Sequence, residues 1–286
     1  MSGIRDPLDR VGQDLLAPTL IACGREEFTG ELRVSGEPGG TFHLRGGLVV
    51  AVESPGAPGP EALLLRSGRV SGEQWAGLVR ESGGSRWPAA GLITHGYAGA
   101  AQLRVVCAMA LHDAAFAIVA GRVRDCERLP GDEPFTQLAV GEPAARVLQD
   151  AARKLSAILA LPQPVRPDRE RPLPAPAPAG TLTGLRQELL AHADGRRTAR
   201  DLAFRTGRGV YTVTVEVARM LGEGLLVCAL APPPIPVRAI PEGQGVHHRK
   251  PELPEPRPSP PPPTTPAPLP RRKPGGFFRL RNGAPK

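Results

Sequence analysis

Over the first 55 residues the hydrophobic positions switch from a helical to a strand period. Leu8, Val11, Leu15, Leu16 and Leu20 recur at three- and four-residue spacing, which predicts an opening helix with Pro18 as a kink or break. Leu32 and Val34 then alternate with Glu31, Arg33 and Ser35, the period of a half-buried strand. Phe42 and Leu44 alternate with His43 and Arg45 in the same way, and Glu37-Pro38-Gly39-Gly40 supplies the turn between the two strands. Gly46-Gly47 fits a two-residue hairpin that needs positive φ, a conformation glycine adopts without steric penalty. Leu48 to Val52 is a nearly continuous apolar run, as expected of a third strand covered on both faces. Gly30, Gly46 and Gly47 are read as structural turn glycines.

Beyond a Pro/Gly loop at residues 55–60, Pro60 is placed to open a helix over Glu61 to Arg66. Gly68 ends it, and Ser71 caps a second helix carrying Trp75, Leu78 and Val79. Ala98 to Ala110 is helix-forming, and Phe116 to Val123 reads as strand, turn and strand, echoing Phe42 to Val49. Glu142 to Leu161 closes the segment as an amphipathic helix with Pro143 in its first turn. The pattern predicts an α+β domain over residues 1–161, its small antiparallel sheet flanked by helices. A proline-rich spacer follows at 162–179, where Pro172, Pro174, Pro176 and Pro178 favour extended polyproline II. A compact helical segment spans 180–231. Residues 232–286 hold 18 of the 35 prolines and read as a disordered tail, since such a composition buries too little apolar surface to fold.

Charge changes the picture by its distribution. The formal net charge is +8, and residues 232–286 carry ten Lys/Arg against three Asp/Glu. Residues 180–231 are only slightly basic, and the N-terminal domain is close to neutral, a poor phosphate-binding surface. Cys23, Cys107, Cys126 and Cys228 are far apart in apolar surroundings and form no CxxC, so buried reduced thiols and a cytoplasmic location are expected. Ser2 to Arg10 lacks the apolar core of a signal peptide. The longest apolar run, Ala114 to Ala120, falls short of the ~20 residues that cross a bilayer.

The motif Thr29-Gly30-Glu31-Leu32-Arg33-Val34, the hairpin Phe42 to Ala51, the Glu61-Ala62-Leu63 helix and the closing Val147 to Ile158 helix together resemble the bacterial DUF4388 (PATAN) family over about residues 10–160. The resemblance implies an α+β regulatory module of signalling proteins with no catalytic residues to transfer. Ser82 to Ala98 departs from the family pattern. The second segment resembles a winged helix-turn-helix. Leu185, Leu189 and Leu190 lie on a first helix, Ala199 to Arg205 forms a second capped by Thr198, and Val210 to Leu221 a third. Leu225 to Cys228 then opens a wing.

On that resemblance Tyr211, Thr212 and Thr214 face a DNA groove, with Arg196, Arg197, Arg200, Arg205 and Arg208 near phosphates. Glu216 on the third helix and the Pro232-Pro233-Pro234 truncation of the wing favour protein contact instead. In the tail, Arg271, Arg272, Lys273 and Arg279 flank Phe277 and Phe278, a cluster suited to an anionic surface, to a partner protein, or simply to a solvated end. Phosphate loops, HExxH, GxSxG and dinucleotide fingerprints are lacking, and no cofactor or metal is expected. His43 reads as a surface residue. His112 and Asp113, as helix neighbours, do not face each other. His247-His248 offers only adventitious metal binding. The expectation is a non-enzymatic bacterial signalling or transcription-associated regulator that contacts a protein partner and double-stranded DNA. The alternative is an adaptor that binds proteins alone. No small-molecule substrate is evident.

Overall fold

The computed structural model describes residues 8–132, 135, 137, 140–176 and 182–229, and side chains from residue 15 onward. Helix α1 (Leu8–Arg25) runs through Pro18 without a break and leads into three strands, β1 (Gly30–Glu37), β2 (Gly40–Arg45) and β3 (Leu48–Glu53). Leu32, Val34, Phe42, Leu44, Val49 and Val52 share one face, the last two because a β-bulge shifts the β2–β3 register between them, and all are buried. Gly46 and Gly47 turn the β2–β3 hairpin at φ 55° and 77°. Gly30 lies within a strand, not at a turn, and is flanked by β2 and β4.

A helical lobe follows: α2 (Pro60–Arg66), α3 (Gly72–Glu81) and α4 (Ala89–Thr94). Ser71 caps α3 as expected, in a reciprocal capping box with Gln74. The lobe closes a small core of its own around Leu64, Val70, Trp75, Leu78 and Leu92.

The largest local departure from the sequence reading comes next. Phe116 to Ala120 is not a strand. Helix α5 (Ala100–Ala120) continues to Ala120, and a single strand, β4 (Arg122–Pro130), then pairs antiparallel with β1. Residues 114–119 are buried on every side, so this stretch has no amphipathic period by which to recognise it as helix. Unbroken, α5 has the length and apolarity to cross a bilayer, yet 67% of its apolar window is buried in the protein, the condition of a core helix. The two-residue strand β5 (Glu142–Pro143) closes the antiparallel sheet in the order β4-β1-β2-β3-β5, and α6 (Ala144–Leu159) packs across α5.

Of the spacer expected at 162–179, residues 162–176 are described, and they differ from a free linker. Val165 is buried, and strand β6 (Pro172–Pro174) pairs antiparallel with β7 (Leu226–Cys228). Proline cannot donate to a ladder, so it suits an edge strand of a two-stranded sheet, and its extended backbone serves there as well as in polyproline II. Between those strands lie α7 (Gly184–His192), α8 (Ala199–Thr206) and α9 (Val210–Gly222), the three helices anticipated. Thr198 caps α8 in a box with Asp201, and Gly207 ends it in the left-handed conformation. One apolar core runs from Leu32 and Phe42 through Phe116 and Val147 to Leu189, Leu202 and Val213. The described residues therefore fall within one compact unit, where two domains and a spacer were expected. The fold is α+β.

Candidate functional site

The seat of α9 determines what the three-helix segment can present. Asp113, 7% exposed near the C-terminal end of α5, faces the first turn of α9. Its Oδ1 accepts from the Tyr211 N–H at 3.4 Å, and Gly209 packs directly on the carboxylate, where a side chain would overlap it. The Tyr211 ring meets Phe116 edge-on at 5.4 Å and carries the Lys154 ammonium 5.5 Å over its face. Thr214 is fully buried and donates its hydroxyl to the Val210 carbonyl. Tyr211 is thus half-buried against α5 and α6, and Thr214 has no exposed surface to present. The end of the helix that enters DNA in a helix-turn-helix is turned into the protein.

The remaining predicted residues are scattered. Thr212, Arg205 and Arg196 are exposed, and the Arg196 carbonyl accepts from Arg171. Arg197 pairs with Asp194 at 3.0 Å and donates to the His192 carbonyl. Arg200 lies 3.7 Å from Asp201, and Arg208 the same distance from Glu188. Arg186, not singled out by the sequence, bridges α7 to α9 through Glu223 and Glu216 at 2.6 Å each. The hydrogen bonds it donates to those two carboxylates hold its guanidinium above its usual range. Arg271, Arg272, Lys273, Phe277, Phe278 and Arg279 lie outside the described residues.

Burial pushes the Asp113 carboxyl above the ordinary carboxylate range, against the pull of Lys154 and the Tyr211 and Val210 amides. Below its unfolded value of 3.8 this group is protonated in both states, and above it the folded protein holds the proton longer. Asp113 thus subtracts stability as pH rises from that value through its folded pKa. Asp113→Asn is expected to gain stability relative to the parent as pH rises from acid to neutral, read by urea unfolding across pH. A pH-independent difference between the two proteins would refute the assignment. His112, its sequence neighbour, points elsewhere, to Glu142 at 3.1 Å and Asp150 at 3.2 Å.

A second cluster is built on β2 and β3. His43 is not a surface residue but 2% exposed. Its Nε2 lies 2.9 Å from Glu53, its Nδ1 3.7 Å from Glu31, and its ring meets Phe135 edge-on at 5.5 Å. Glu53 also pairs with Arg86, whose guanidinium lies 4.5 Å over Phe135. The His43 hydrogen bond, aided by Arg86 and opposed by burial, holds the Glu53 carboxyl below its usual range. Glu53, Arg86 and Phe135 border a cleft of about 570 Å³ between the sheet and the helical lobe. Trp75 and Trp87, the only tryptophans in the chain, line it with centroids 6.0 Å apart. Glu61, in the first turn of α2, lines it too. Volume, aromatic lining and a few convergent polar groups are the ordinary marks of a recognition site. Among the described residues, no group of three or more His, Cys, Asp or Glu is arranged to hold a metal.

Compared with protein families, with curated proteins and with solved structures, the chain matches none.

Proposed function

We propose that this protein is a non-enzymatic regulatory adaptor that binds a protein partner, with its three C-terminal helices serving as one half of the docking body and not as a DNA reader. The observation that carries this reading is the buried contact between Asp113 and the first turn of α9, which leaves Tyr211 half-buried against Phe116 and accompanies a fully buried Thr214. The arginines around α8 give it further support. Three of the five expected at phosphates, Arg197, Arg200 and Arg208, have guanidiniums beside Asp194, Asp201 and Glu188. The resemblance of residues 10–160 to DUF4388, a family of regulatory modules, points the same way.

The test is fluorescence anisotropy of the full chain against random duplex DNA, titrated across salt. A variant with Arg196, Arg197, Arg200 and Arg208 all changed to alanine is expected to keep whatever affinity and salt slope the parent has. If those arginines contact phosphates, the variant loses affinity and its log–log salt slope flattens by about one per lost contact, and the adaptor reading is then wrong.

A further inference from the structure

We propose that the cleft between the sheet and the helical lobe is an arginine-recognition site, held in the free protein by Arg86 and taken by an arginine side chain on an extended segment of a partner. The proposal deepens the adaptor reading and rests on it. Arg86 shows what the site accepts: its guanidinium stacks on Phe135 and meets the Glu53 carboxylate. That carboxylate is a prepared partner, because the buried His43 Nε2 fixes its second oxygen at 2.9 Å. A planar cation between a ring face and an oriented carboxylate is the geometry guanidinium fits better than ammonium.

Arg86 is itself loosely tied. It is 64% exposed and follows Gly83 and Gly84, both at positive φ with open space around them. An incoming guanidinium restores the pair that Arg86 gives up, so the exchange itself costs little. Once Arg86 swings out, the lining keeps the carboxylates Glu53 and Glu61 and no cation, a complement to positive charge. The cleft volume of about 570 Å³ exceeds one guanidinium and leaves the two indoles for the residues flanking it. Glu61 has no ion-pair partner among the described residues.

Because both tryptophans line the cleft, the intrinsic fluorescence of the full-length protein reports occupancy directly. The probes are blocked pentapeptides of Gly and Ser around a central arginine, lysine or citrulline. Saturable quenching is expected with arginine, weaker binding with lysine, and a loss of at least ~10-fold with citrulline, which keeps the shape without the charge. Arg86→Ala is expected to tighten the arginine peptide by ~3-fold or more, since it vacates the site. Glu53→Gln is expected to weaken it by ~10-fold. Phe135→Leu, a change outside the strands that keeps an apolar cover on His43, provides the same test should Glu53→Gln disturb folding. Weaker peptide binding in Arg86→Ala would mean that Arg86 recognises an anion, and would overturn the proposal. So would equal binding of the citrulline peptide. Loss of DNA affinity in the four-arginine variant overturns the adaptor reading. Failed peptide titrations with DNA behaviour unchanged overturn only the cleft assignment.

Discussion

Phe116→Ala is expected to destabilise residues 8–229 as a whole, by about 3–5 kcal/mol, the usual consequence of emptying a large aromatic site in a packed core. Phe116 is fully buried near the C-terminal end of α5, in the core that joins the sheet to α9, and its ring meets Tyr211. The lost area, the cavity and the lost ring pair all fall at the junction of the two halves. Urea unfolding followed by tryptophan fluorescence reports Trp75 and Trp87 in the helical lobe, whereas circular dichroism reports every helix. The two transitions are expected to coincide in the parent protein and to move together in the variant. A variant whose α7–α9 helices melt first, with the tryptophan signal unmoved, would show that two domains merely touch.

Gly30→Ala is expected to be at least as damaging, upward of about 3 kcal/mol, from backbone strain plus disrupted ladder hydrogen bonds. Gly30 has φ 140°, and an added Cβ would overlap the Leu129 carbonyl oxygen and crowd Gly131 N and Pro130 Cα at 2.9 and 3.0 Å. Every neighbour is backbone, so no side chain can move aside and β1 must part from β4. Gly46→Ala is the control. That glycine also has positive φ, at 55°, but nothing lies within 4 Å, so the expected loss is only about 1–2 kcal/mol for the left-handed conformation. Equal losses for the two variants would show that strain alone, and not strand approach, governs Gly30.

Both predictions concern places where neighbours in space, not in sequence, decide the outcome. The buried cluster of His43 is a third. A two-residue turn at Gly46-Gly47 pairs Arg45 with Leu48 and Leu44 with Val49, and continuing that count sets His43 opposite Val50. A β-bulge shifts the register between His43 and Leu44, so His43 pairs with Ala51 and Glu53 comes opposite Thr41. The shift brings Glu53 within reach of His43, and Phe135 then covers the ring. Read along the chain, His43 is simply the polar member of an alternating pair.

What the chain determined by itself was local. The strand alternation of Leu32, Val34, Phe42 and Leu44, the Gly46-Gly47 hairpin and the Ser71 and Thr198 caps each express a preference written within a few residues. The α+β class follows from those elements. What covers each face was decided only in three dimensions. The end of α5 is apolar all round because neighbours surround it, and Pro172–Pro174 becomes a strand only because β7 lies beside it. Likewise α9 keeps the length and rhythm of a recognition helix, but Asp113, about a hundred residues away in the chain, takes its first turn into the core. Periodicity records which side of an element is apolar; which surface is buried against it depends on contacts between segments remote in sequence, and those form only when the chain folds.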